Sequence, residues 1–154
     1  MKIFTIDPGP KQSAFLKWDS EHETITSFGI VENDELLKMV RLIQPYEQIV
    51  CEMIQSFGMP VGKEIFETVL FIGQVKEASL NAGHSLNLIY RKEIKQHFCN
   101  TNRATDSNIR CVLIDRFGPP GTKKQQGKLY GIKKDIWSAL ALAVYFSDQQ
   151  NSPH

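Results

Sequence analysis

The chain opens on alternating apolar and β-branched residues over 2–6, which predicts a strand, and Asp7-Pro8-Gly9-Pro10 then enforces a turn. Residues 13–18 and 24–31 repeat the strand pattern and predict a meander with the first. Helical spacing follows over 32–43, with Leu36, Leu37, Val40 and Ile43 on one face and Pro45 closing it. In the next strand, 48–53, the apolar run Ile49, Val50 and Cys51 leads to Glu52. A loop holding Gly58, Pro60 and Gly62 precedes a long helix over 63–80. Ile65, Val69 and Ile72 share its expected inner face, flanked by Phe66 and Leu70, and Gly73 on that side would let a neighbour approach closely. A strand at 85–90 and helices at 91–98 and 105–117 come next, the last with Ile109, Val112, Leu113 and Phe117 inward. Residues 118–131 form a lysine-bearing loop with little to bury, expected to be mobile. The final helix is predicted over 132–146, where Ala139, Ala141 and Ala143 permit close packing.

Three strands, a helix, a strand, a helix, a strand and then helices make one α/β domain around a mixed sheet. The domain is expected over 1–148, with 149–154 as a polar, frayed tail. A chain of 154 residues can bury a core without disulfides or structural metal. Cys51, Cys99 and Cys111 form no CxxC pair, and His97 with Cys99 lacks a second ligand pair, so reduced thiols are expected. No apolar run reaches the ~20 residues of a membrane span. The first residues meet an acid at Asp7, unlike a secretory signal, and a cytoplasmic location without membrane contact is expected.

The net charge of +1 hides an asymmetry. Residues 1–90 carry seven Lys and Arg against twelve Asp and Glu, whereas 91–134 carry eleven against three. A basic segment of this kind either meets an anionic partner or is a solvated face.

Three acids stand at element ends: Asp7 closes the first strand, Glu52 the fourth, and Asp135 opens the last helix. If strands one and four are parallel neighbours, Asp7 and Glu52 lie side by side, and a helix start can bring Asp135 to them. Carboxylates pressed together must raise their pKa values or recruit a cation. The hard ion Mg²⁺ suits oxygen donors, and two ions ~3.5–4 Å apart can activate a water and stabilise a leaving oxygen. Each acid also has an ordinary role: a turn residue for Asp7, a solvated strand end for Glu52, a helix cap for Asp135.

Several stretches resemble the RuvC-type Holliday-junction resolvases. Ile6-Asp7-Pro8-Gly9 is similar to their opening strand and turn, and Glu52 to their second acid. Arg91-Lys92-Glu93-Ile94-Lys95-Gln96 and the run from Arg103 to Arg110 resemble the basic segment before the penultimate helix. Asp135-Ile136-Trp137-Ser138-Ala139-Leu140-Ala141 resembles the closing acidic, alanine-rich helix. Phage and mobile-element members are suggested by Phe66-Glu67-Thr68, Ile72-Gly73 and the run from Leu113 to Gly118. The resemblance implies an RNase H-like mixed five-stranded sheet flanked by helices, one or two Mg²⁺ or Mn²⁺ ions, and a homodimer that nicks two strands of a four-way junction, a role in DNA recombination and repair. It implies metal ligation by Asp7, Glu52, Asp135 and the Ser138 position, and makes Lys95 a candidate for holding the scissile phosphate. The family often has two acids, or His and Asp, three apart on the last helix; here the first is Asp135 and the second position is Ser138, and neither Thr105 nor Asp106 supplies the family's lysine.

Arg91, Lys92, Arg103, Lys123, Lys124, Lys128, Lys133 and Lys134 are the expected DNA contacts, through salt-dependent phosphate binding. Arg110 and Arg116 are either contacts or structural. Phe57 would stack on an unpaired base or fold back on the core, and Trp18 and Trp137 are expected in the core. The sequence therefore predicts a metal-dependent, structure-specific endonuclease on branched DNA, with no small-molecule cofactor. The alternatives are a non-catalytic branched-DNA-binding module and a nuclease on flaps or RNA–DNA hybrids. A phosphotransferase of sugar-kinase type would need two such domains.

Overall fold

In the computed structural model, which describes residues 1–152, a five-stranded sheet carries helices on both faces. The strands are β1 (Lys2–Asp7), β2 (Gln12–Asp19), β3 (Thr24–Glu32), β4 (Glu47–Met53) and β5 (Leu86–Tyr90). The helices are α1 (Asn33–Arg41), α2 (Lys63–Asn81), α3 (Arg91–Cys99), α4 (Asp106–Phe117) and α5 (Ile136–Asn151). Sheet order is β3-β2-β1-β4-β5. The first three strands are an antiparallel meander, and β4 and β5 run parallel to β1, as the expected mixed sheet requires.

Side-chain alternation along β1 and β4 divides the core in two. Phe4, Ile6, Ile49 and Cys51 point to one face and pack with Leu36, Val40, Phe71 and Val75 of α1 and α2. Ile3 and Val50 point to the other and pack with Ile136, Ala139, Leu140 and Ala143 of α5. The alanines of α5 bring its axis close to the sheet, which places its first turn over the ends of β1 and β4. Trp18 is buried, its ring edge-on to Phe117 at 5.4 Å between centroids. All three cysteines are free.

The inner face of α2 differs from the expected one. Thr68, Phe71, Ile72, Val75, Ala78 and Ser79 go in, whereas Phe66, Val69 and Leu70 are exposed. The polar members enter because each hydroxyl donates to the carbonyl one turn back, Thr68 to Glu64 at 2.8 Å and Ser79 to Val75 at 2.7 Å. Gly73 meets no neighbour, so the close approach expected there is absent.

The 118–131 loop also buries more than its composition promised. Leu129 is fully buried, and the loop is cross-tied by Thr122 N–H to Gln125 O at 3.0 Å and Gly127 N–H to Pro120 O at 2.9 Å. The last helix begins at Ile136 rather than residue 132, because Lys134 takes a left-handed conformation, φ 49°, that interrupts the helical path. At its other end α5 continues to Asn151, so residues 149–151 of the expected tail are helical, and 153–154 lie outside the described residues. Asp148 anchors this last stretch through Arg116 Nη1 at 2.7 Å and Nη2 at 2.8 Å, with His97 Nε2 at 2.7 Å. That makes Arg116 structural.

Candidate active site

The parallel register of β1 and β4 pairs Ile6 with Cys51. One step further, Asp7 and Glu52 stand side by side at the end of the sheet and point to the face covered by α5. The turn after Asp7 is held from three sides. Gly9 N–H donates to Ser13 Oγ at 3.1 Å, Ser13 Oγ to Asn33 Oδ1 at 2.7 Å, and Asn33 Nδ2 to Gly9 O at 2.9 Å. A Cβ on Gly9 would lie 2.3 Å from the Gln12 carbonyl oxygen, so only glycine allows this turn.

Asp135 is the N-cap of α5, yet its side chain makes no capping hydrogen bond. The ordinary role that competed with a functional one is therefore unfilled, and the exposed carboxylate is free at the rim of the site. Ser138 follows one turn later on the same face.

Burial raises the Asp7 carboxyl pKa most, and the neighbouring charges of Glu52 and then Asp135 add to it, so that it reaches about 9 in spite of the opposing charge of Arg91. Such a group keeps a proton or accepts a cation. The donors here are carboxylate and hydroxyl oxygens, which suit a hard divalent ion. The tightest acidic group among the described residues, Asp19 with Glu21 and His22, lies elsewhere. Asp19 ends β2 opposite the start of β1, paired with Lys2 at 2.6 Å and with His22 at 2.8 Å, so its carboxylate is already satisfied.

Arg91 is placed differently from the sequence expectation. It opens α3 directly after β5, and its guanidinium turns into the site rather than out to phosphates. Nη1 donates to Glu52 Oε1 at 3.0 Å and to Ser138 Oγ at 3.3 Å, and Nη2 donates to Asp106. Burial works against its charge, but Asp106 and Glu52 outweigh that and hold the guanidinium firmly protonated. Asp106, at the first position of α4, went unrecognised in the sequence. Its only signal was an acid in the first turn of a helix with a Thr105–Asn108 capping box, which looks like ordinary helix chemistry.

A cleft of about 200 Å³ runs between these groups, lined by Glu52, Arg91, Asp106, Asp135 and Ser138, with Arg110, Lys134 and Trp137 among its walls. Trp137 is half-buried rather than fully in the core, and the Arg110 guanidinium lies 5.2 Å from its ring centroid. Lys133 and Lys134 flank Asp135 above the Gln12–Ala14 segment of β2. Lys95 lies one turn after Arg91 on α3 and forms no ion pair among the described residues. Lys92 and Arg103 are exposed, as are Lys123 and Lys124 on their loop, and Lys128 reaches the Glu23 carbonyl at 3.5 Å. Phe57 is 76% exposed, which removes the reading that it folds back on the core. Met59 and Val61 are exposed on the same loop.

The sequence matches no protein-family model and no curated protein. In three dimensions the chain is similar to the RuvC structure from Thermus thermophilus, with a TM-score of 0.71 at 14% identity over 97% of both chains. It is similar also to T. thermophilus RuvC in complex with a Holliday junction substrate, with a TM-score of 0.70 at 14% identity over 98% of this chain and 96% of that one. The chain has a RuvC-type, RNase H-like fold.

Proposed function

We propose that this chain is a metal-dependent, structure-specific endodeoxyribonuclease that hydrolyses phosphodiesters in four-way junctions. The observation that carries the reading is the meeting of Asp7 and Glu52 on adjacent parallel strands beneath Asp135, whose side chain makes no capping hydrogen bond at the start of α5. Asp7, Glu52 and Asp135 would hold Mg²⁺ or Mn²⁺, with Ser138 a weak neutral donor beside them. Bound there, the ion would activate a water and stabilise the leaving oxygen of the cut strand. The chain's own part is to gather the carboxylates, to keep their oxygens fixed on rigid strands, and to neutralise the phosphate as charge develops on it.

Lys133 and Lys134 beside Asp135, and Lys95 along α3, would receive the backbone at the cut. Lys92, Arg103, Lys123, Lys124 and Lys128 extend a basic surface for the arms of branched DNA. Phe57, projecting from the loop after β4, would stack on a base freed at the crossover. The similarity to a junction-bound RuvC supports this substrate over flaps and hybrids. A homodimer would match the twofold symmetry of the junction, and the exposed Phe66, Val69 and Leu70 on α2 are the surface we assign to it.

The hydrogen bond from Arg91 to Glu52 favours one second reading, a module that binds branched DNA without cutting it. Nicking of a labelled four-way junction in Mg²⁺ and in Mn²⁺, by wild type and Asp7→Asn, separates the two. Paired nicks that vanish in the variant establish the nuclease, with duplex, flap and hybrid controls setting its selectivity. Junction binding without nicking in either metal establishes the binding module.

A further inference from the structure

The site already contains a cation. The Arg91 guanidinium bridges Glu52 Oε1 at 3.0 Å and Ser138 Oγ at 3.3 Å, and Asp106 holds its far nitrogen. Its side chain is 31% exposed and that of Glu52 is 15% exposed, so this is a recessed contact rather than a surface pair. Guanidinium is permanently charged and presents a planar fork of donors, so it binds carboxylates without competing protonation.

The position matters as much as the charge. An ion shared by Glu52 and residue 138 would have to occupy the space in which Nη1 now sits. Residue 138 is a serine and brings no negative charge to attract one. Asp106, 72% exposed, adds a carboxylate on the far side of the guanidinium, where it fixes Arg91. The donors thus fall into two sets. Asp7 and Asp135 make no ion pair among the described residues, whereas Glu52 Oε1, Ser138 and Asp106 share Arg91.

We infer that this site takes one divalent ion, held by Asp7, Glu52 and Asp135, and that Arg91, set in place by Asp106 and Ser138, supplies the second positive charge. This rests on the metal-nuclease reading and adds to it the number of ions and the source of the other charge. Arg91 thereby becomes a residue of the reaction centre facing the phosphate, rather than one of the outlying DNA contacts.

The test is a count of bound Mn²⁺ on the whole chain without DNA, by calorimetric titration together with loss of the free-ion electron paramagnetic resonance signal. Wild type should bind one ion per chain. Arg91→Met, checked for folding by circular dichroism, should bind two, because Glu52, Asp106 and Ser138 then lose their resident cation. Two ions in wild type, or one ion of unchanged affinity in Arg91→Met, would overturn the inference and leave the nuclease reading intact. No ion in wild type would overturn that reading, and the inference with it. The wild-type count needs no variant, so it decides the matter by itself should Arg91→Met fail to fold.

Discussion

The hydroxyl of Thr5 donates to the carbonyl of Ala139 at 2.8 Å, joining the middle of β1 to the first turn of α5 across 134 residues of sequence. Thr5 is completely buried and lies two residues before Asp7 on the same face of the strand, and Ala139 directly follows Ser138. The bond therefore sets how far Asp135 and Ser138 stand from the strand acids. Thr5→Val keeps the shape and removes the donor. It should cost about 1 kcal/mol of stability, read as a lower melting temperature, and should slow junction nicking by more than that loss of folded protein explains. Unchanged nicking in a destabilised variant would mean that α5 is located by apolar packing alone.

Asp7 should work against stability in the metal-free protein. Its folded pKa of about 9 exceeds the unfolded value of about 3.9, so the folded state holds its proton more tightly. A carboxyl raised in this way favours folding fully below about pH 4, and the contribution is lost as pH rises through the folded pKa. Melting curves of wild type should therefore fall further than those of Asp7→Asn between about pH 5 and about pH 9. Saturating Mg²⁺ should restore wild type and do little for the variant, which should not nick. Parallel pH profiles for the two proteins would show that Asp7 is not under charge pressure.

Gly9→Ala puts a methyl group against a backbone oxygen rather than a flexible side chain, so the turn itself must move. A cost of about 1–3 kcal/mol is expected, together with weaker Mn²⁺ binding, since Asp7 is two residues away. The control is Gly73→Ala, where a Cβ meets nothing and the middle of α2 gains helix propensity, so that stability should rise by up to ~1 kcal/mol.

Leu70, 70% exposed on α2, tests the dimer. Leu70→Glu should leave the fold unchanged, convert the sedimenting species from dimer to monomer, and abolish the pairing of nicks while single nicks persist. A wild-type chain that sediments as a monomer at micromolar concentration would remove α2 as an interface.

Much of this architecture was legible because strand patterning is local. The meander and the acids at strand ends follow from period-two alternation and turn chemistry, whereas the parallel pairing of β4 with β1 stood only as a condition, because it joins residues more than forty apart. The inner face of α2 was not legible, because Ile65, Phe66, Val69, Leu70 and Ile72 make the helix apolar nearly all round. The choice fell to Thr68 and Ser79, whose hydroxyls are satisfied within the helix. Lys134 shows a different limit: its left-handed backbone leaves no mark in the apolar spacing, so the predicted helix starts four residues before the true boundary. Arg91 was recognised as a basic residue near the site, but its partners lie 39, 47 and 15 residues away. Only the position of α3 after β5 reveals that its guanidinium turns into the cleft among Glu52, Ser138 and Asp106.

The parts of the site lie far apart along the chain: Asp7 and Glu52 early, Arg91 and Asp106 in the middle, Asp135 and Ser138 late. During synthesis the two strand acids leave the ribosome well before the helix that completes them. A nascent chain, or one cut before residue 135, has a sheet edge but no third carboxylate and no seat for Arg91 between Glu52 and Ser138. On the proposed nuclease reading, a chain assembled in this order would stay inert until its last helix docks, which would spare the nucleic acid around it from half-made copies.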